Sequence, residues 1–183
     1  LNTDGSLSRR RFVRAAAAGT AIAATAGRGY SANAKLQHAC IGVGGMGFVD
    51  LRNFKSHPGT DIVAICDVDT NHLDKAAALL PGARTYTDWR ELLEKEDAKI
   101  DSVNVAVPDH MHAAIVMTAL RAKKHVYCQK PLCHDVAECR AVAAAAKEAG
   151  VVTQLGTQHA SGIGDRMAVQ FLRDGVVGRI RRA

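Results

Sequence analysis

From His38 onward, short runs of β-branched and small apolar residues alternate with stretches where alanine and leucine recur at helical spacing. Six runs predict strands: His38–Val43, Asp61–Cys66, Arg84–Tyr86, Ser102–Val107, His125–Tyr127 and Val151–Leu155. Six amphipathic stretches predict helices: Met46–Ser56, Asn71–Leu80, Asp88–Glu94, His112–Ala122, Val136–Ala149 and Asp165–Arg173. Strict strand–helix alternation with short connections predicts an α/β fold, a doubly wound parallel sheet with helices on both faces. Local punctuation agrees. Asp88 with Glu91 has the spacing of a capping box, Gly150 stands where a helix ends, and Pro58-Gly59 and Pro81-Gly82 close the earlier helices.

Between the first strand and the first helix lies Ile41-Gly42-Val43-Gly44-Gly45-Met46-Gly47, a Gly-x-Gly-x-x-Gly loop. Gly42 permits a tight turn out of the strand, Gly44 lets a pyrophosphate approach the backbone, and Gly47 lets the helix pack closely. The helix start then offers free N–H groups to phosphates. Asp67 lies twenty residues beyond Gly47, at the end of the second strand. A carboxylate there accepts the ribose hydroxyls of an adenosine and repels a 2′-phosphate. No Lys or Arg between Asp67 and Leu73 offsets that repulsion, so NAD is favoured over NADP. Loop, acid and alternation together predict a Rossmann dinucleotide-binding domain over residues 35–157, with Gly42, Gly44, Gly45, Met46, Gly47 and Asp67 at the cofactor.

Charge changes the picture only at the front of the chain. The formal net charge is +6, but Arg9, Arg10, Arg11, Arg14 and Arg28 face only Asp4 within residues 1–34. Without that segment the charge falls to +2, and aromatics make up 4% of the chain, so no basic, aromatic-lined groove for nucleic acid is expected. Ser8-Arg9-Arg10-Arg11-Phe12-Val13-Arg14 closely matches a twin-arginine export signal, followed by a weakly apolar stretch, Ala15 to Ala26. Cleavage is expected after Ala34, which implies the twin-arginine export machinery as a partner and a periplasmic location. The stretch is too short to span a bilayer, which takes about 20 apolar residues.

The five cysteines are odd in number and form no Cys-x-x-Cys pair. Cys40, Cys66 and Cys128 fall in strands and read as small apolar filler, while Cys133 and Cys139 flank a helix start. The histidines His110, His112, His125, His134 and His159 show no metal-ligand spacing, and no metal is expected.

The glycine loop, Val107-Pro108-Asp109-His110-Met111-His112 and above all His125-Val126-Tyr127-Cys128-Gln129-Lys130-Pro131-Leu132 resemble the Gfo/Idh/MocA family. This family includes glucose–fructose oxidoreductase and inositol dehydrogenase. The resemblance runs from about residue 36 to the C-terminus. It implies NAD(P)-dependent hydride transfer with a sugar, a cyclitol or a related hydroxy compound. The family's Glu-Lys-Pro stands here as Gln129-Lys130-Pro131, with the lysine kept. By resemblance Lys130 is the catalytic residue, facing the nicotinamide and the substrate hydroxyl, and the Lys–Pro bond is commonly cis. An ammonium there stabilises a developing alkoxide. Gln129 keeps the size of glutamate without its charge. Pro108, His112 and Gln129 are carried over as cofactor-binding residues, and Gln158 and His159 as weaker substrate-side candidates.

Gly175-Val176-Val177-Gly178-Arg179-Ile180 resembles the start of the family's second, α+β domain. Residues 158–183 are therefore read as the connection to a truncated second domain, and the chain alone is not expected to turn over substrate. A homo-oligomer is allowed for a full-length protein. Two other readings stay open: an NAD-dependent glycoside hydrolase of the same family, and a non-catalytic NAD-binding protein.

Overall fold

The structure is a computed structural model that describes residues 35–179. The arginine-rich segment 1–34 lies outside the described residues, as do residues 180–183.

Six strands form one parallel sheet: β1 (Leu36–Ile41), β2 (Thr60–Cys66), β3 (Arg84–Tyr86), β4 (Ser102–Val105), β5 (His125–Gln129) and β6 (Thr153–Gly156). Their spatial order is β3-β2-β1-β4-β5-β6. The helices are α1 (Gly45–Ser56), α2 (Thr70–Leu79), α3 (Trp89–Glu96), α4 (His112–Arg121), α5 (Val136–Ala149) and α6 (Ile163–Arg173). The order reverses between β1 and β4, and in such sheets ligands bind at the carboxyl ends of the strands flanking that switch.

Successive side chains of β1 alternate between two cores. Ala39 and Ile41 join Val103, Val105, Val126 and helices α3, α4 and α5. Cys40 joins Ile62, Ile65, Leu51 of α1 and Leu73 of α2. Both faces of the central strands are thus covered, which accounts for their near-continuous apolar runs.

The expected elements are present with shifted ends, and the shifts have local causes. β1 stops at Ile41, because Gly42 turns the chain with φ +82°. β4 stops at Val105, and the chain rises through Ala106 and Val107 to Pro108, which has no N–H to extend a ladder. β5 continues to Gln129 because that residue still pairs with Gly156 of β6. At the start of α3 the capping box does not close. Asp88 accepts from Arg90 N at 2.8 Å, while Glu91 pairs with Lys95. Gly150 ends α5 in the left-handed region, φ +67°, as expected.

β3 is short and is tied to α3 by a buried carboxylate. Glu96 takes Arg84 Nε and Nη2 at 2.5 and 2.6 Å and the Tyr86 hydroxyl at 2.5 Å. All five cysteines are free. Burial, more than any neighbouring charge, pushes the thiols of Cys66 and Cys128 up to about 12, which suits filler rather than nucleophiles. Helix α6 has no buried residue and leaves Ile163, Met167 and Phe171 exposed. Among the described residues no helix is long and apolar enough to cross a membrane.

Candidate functional site

The glycine loop occupies the switch point. Gly42 N donates to the carbonyl of Cys66 at 2.8 Å, and a Cβ on Gly42 would lie 2.3 Å from the Ala106 carbonyl oxygen. Gly47 meets the loop just as closely: its Cβ would lie 2.1 Å from the Gly42 carbonyl oxygen. Close packing at Gly47 is therefore against the loop's own backbone as well as the sheet. The first turn of α1 carries no acidic residue and no side-chain cap, so its N–H groups and positive dipole end stay available to phosphates.

Asp67 does more than the sequence expectation. Its Oδ2 accepts from Val43 N at 2.8 Å and Gly44 N at 3.1 Å, and its Oδ1 from Asp69 N at 3.0 Å. A carboxylate offers about four acceptor positions, so about one remains for a ribose hydroxyl rather than the two anticipated. Asp67 both shapes the loop and lines the cavity beside it. The helix that follows is capped by a different residue, Asp69, which accepts from Asn71 N at 2.8 Å.

The His72 ring flanks the loop. A Cβ on Gly44 would sit 2.4 Å from His72 Nδ1, which itself lies 3.9 Å from Asp67 Oδ1. Gly44 is thus kept small by a histidine as well as by the expected pyrophosphate. A cavity of about 630 Å³ opens here, lined by Gly42, Gly44, Asp67, His72, Trp89 and Pro108 among others. His72 and Trp89 were not foreseen; neither belongs to a motif, and only the fold brings them to the loop.

Lys130 directly follows the last residue of β5, Gln129, and is exposed. The Lys130–Pro131 bond is cis. His112 stands apart from the role expected of it. The ring is buried, with Nδ1 2.7 Å from the Pro131 carbonyl and Nε2 2.9 Å from the Val107 carbonyl. Both nitrogens face carbonyl oxygens of the protein rather than the cavity. Gln129 is also turned inward: its Nε2 donates to Asp50 Oδ2 at 2.7 Å, and both residues are buried. Its side chain holds the protein together rather than facing the cavity.

Of the remaining candidates, Gln158 folds back on the loop helix, its Nε2 3.4 Å from Met46 Sδ, and His159 is exposed on the short 3₁₀ turn after β6. Gly45 and Met46 are exposed at the start of α1. The structure therefore gathers Gly42, Gly44, Asp67 and Pro108 around one cavity, while Lys130, outside that lining, follows β5 on the same edge of the sheet. Among the described residues, the ligand-type atoms of His134, Asp135 and Glu138 lie within 4.8 Å of one another. They serve the exposed start of α5, where Asp135 caps the helix through Glu138 N and His134 pairs with Glu138 at 2.8 Å.

The family model described as "Oxidoreductase family, NAD-binding Rossmann fold" matches residues 36–157. The chain belongs to the Gfo/Idh/MocA family. It is 28% identical over 139 residues to a myo-inositol 2-dehydrogenase of Thermotoga maritima, covering 76% of this chain and 41% of that enzyme. It is 31% identical over 120 residues to an inositol 2-dehydrogenase of Salmonella typhimurium, covering 63% and 34%. The crystal structure of myo-inositol 2-dehydrogenase from Lactobacillus plantarum superposes with a TM-score of 0.73 at 28% identity, covering 80% of this chain and 43% of that one. The chain thus spans less than half the length of these relatives. As a member of this family it is an NAD-binding Rossmann domain, and the residues at its switch point fit that cofactor: a helix start without a side-chain cap, a loop with no room for a Cβ at Gly42 or Gly47, and a carboxylate, Asp67, lining the same cavity.

Proposed function

We propose that the chain is the cofactor-binding part of an NAD-dependent oxidoreductase acting on a cyclitol, a sugar or a related hydroxy compound. The observation that carries the reading is the placement of Lys130. It directly follows β5 on the strand edge that bears the glycine loop, and His112 reaches the carbonyl of the next residue, Pro131. When bound, NAD supplies the hydride acceptor. The chain's own residues supply the rest. The start of α1 would hold the phosphates, and Asp67 would select the ribose. A positive charge on Lys130 would stabilise the negative charge that grows on the reacting oxygen. The inositol dehydrogenases among the relatives support the substrate class.

The test has two arms. NADH binding to this chain is measured by fluorescence, with NADPH expected to bind more weakly. A longer form with a second domain is then assayed with inositols and sugars, comparing wild type with Lys130→Ala. Equal turnover in the two would remove Lys130 from the reaction.

We further read residues 1–34 as a twin-arginine signal, which places the protein in the periplasm with its cofactor loaded before export. The Ser8–Arg14 motif supports this. Replacing Arg9, Arg10 and Arg11 by Lys should retain the protein in the cytoplasm on cell fractionation; unchanged export would sink the reading.

A further inference from the structure

The buried carboxylate of Asp50 has no place in the reading above. It lies one turn into α1, on the stripe shared with Gly47 and Leu51, where an apolar residue is the rule. Gln129 meets it across the sheet. The Gln129 amide has one orientation that satisfies both sides: Nε2 donates to Asp50 Oδ2 at 2.7 Å, and Oε1 accepts the backbone N–H of Lys130 at 3.3 Å. Gly156 of β6 closes the third side, since a Cβ there would lie 2.9 Å from Gln129 Oε1.

We propose that Asp50 is a positioning residue for Lys130, acting through Gln129, so that the helix that receives the phosphates and the lysine at the reacting oxygen form one rigid unit. This rests on the reading of Lys130 as the catalytic residue. A glutamate at 129 would set a second carboxylate against Asp50, and could make both contacts only by carrying a proton. Glutamine makes both without carrying an added proton. Gln129 and Tyr127 on β5, Asn104 on β4 and Cys40 on β1 face Asp50, and His57, after α1, lines the same cavity; no Lys or Arg lines it. Burial pushes the Asp50 carboxyl up, and the Gln129 bond opposes that. Asn104 favours the charged form from longer range, for neither of its amide atoms has a hydrogen-bond partner.

The experiment measures the deuterium-exchange protection factor of the Lys130 amide, and separately the acylation of the Lys130 amine by a small active ester with and without NADH. Asp50→Ala should cut amide protection about tenfold, the scale of one charge-assisted hydrogen bond, and abolish the shielding of the amine by NADH. Gln129→Glu should lose amide protection at pH 8 and regain it at pH 5, where the two carboxyls share a proton. Asp50→Asn combined with Gln129→Glu should restore protection at both pH values, because asparagine then donates to glutamate. A general loss of folding would not follow this swap or this pH dependence. Unchanged amide protection in a folded Asp50→Ala protein overturns the proposal. So does a Gln129→Glu variant that is insensitive to pH and unrescued by the swap, which decides the matter if Asp50→Ala does not fold. If NADH fails to shield the wild-type amine while amide protection behaves as stated, the reading of Lys130 opposite the nicotinamide falls and the positioning role stands.

Discussion

The Nδ1 atom of His112 lies 2.7 Å from the carbonyl oxygen of Pro131, and the same ring reaches Val107 with its other nitrogen. One buried imidazole therefore ties the end of β4 to the turn that carries Lys130. Replacing it with alanine removes both contacts and leaves a cavity at the start of α4. His112→Ala should lower stability by about 2 kcal/mol, measured by urea denaturation. It should weaken turnover more than NADH binding, because the phosphate loop is untouched. Equal losses in both would mean that His112 is only a packing residue.

Asp67 accepts three backbone N–H groups, and an amide in its place would turn a donor toward at least one of them. Asp67→Asn should raise the Kd for NADH by about 10- to 100-fold, the loss of one or two charge-assisted hydrogen bonds. The NADPH-to-NADH preference should shift toward NADPH as the carboxylate charge disappears. Fluorescence titration with both nucleotides reads both effects.

Glu96 is fully buried, whereas its partner Arg84 is 42% exposed on its side-chain surface. Burial alone would raise the Glu96 carboxyl. The hydrogen bonds from Arg84 and Tyr86 and the charges of Arg84 and Lys99 outweigh it and hold the group below the usual glutamate value. Its stabilisation is therefore complete above pH 4.5 and is lost as pH falls through the lower folded value. Glu96→Gln should cost about 2 kcal/mol at pH 7, discounted from a fully buried pair because Arg84 is in part solvated. The difference from wild type should shrink in acid. Urea midpoints at pH 7 and pH 3.5 test this.

Burial lowers His38 from 6.5 to about 4, with Nδ1 2.7 Å from the Ser102 hydroxyl and Nε2 unpaired. The folded form resists protonation more than the unfolded chain does. Stability is therefore full above pH 6.5 and declines as pH falls toward 4, by about 3 kcal/mol over the whole window. His38→Leu should show a flatter profile between pH 7.5 and 4.5, apart from a constant offset for the lost Ser102 bond. A wild-type slope retained in the variant would assign the acid limb to other groups.

The sheet and its helices were legible because they rest on periodicity, and Val136–Ala149 emerges with the bounds its apolar pattern implies. The glycine loop was legible because the turn at Gly42 and the contact at Gly47 exclude any other residue. His112 and Gln129 were legible in position but not in their partners. Their positions in the chain place them on the ligand edge, while their side chains point inward to partners that sequence distance hides. Asp50 left one trace, a charge on the buried stripe of α1. The Gln129 substitution was a second trace of the same pair. Neither could be joined to the other without the sheet order that sets β5 within reach of α1.

That order also governs when the crevice comes into being. β1 is paired on one side by β2 and on the other by β4, and the His38–Ser102 contact spans 64 residues of chain. During synthesis the first three strands emerge with one edge of β1 still bare, its N–H and C=O groups unpartnered beside an apolar face. Such an edge invites pairing with another chain, and closing it demands a long loop before any contact repays the entropy. The dinucleotide crevice thus depends on that long-range pairing: without Val105 docked against Ile41, the glycine loop has only one wall.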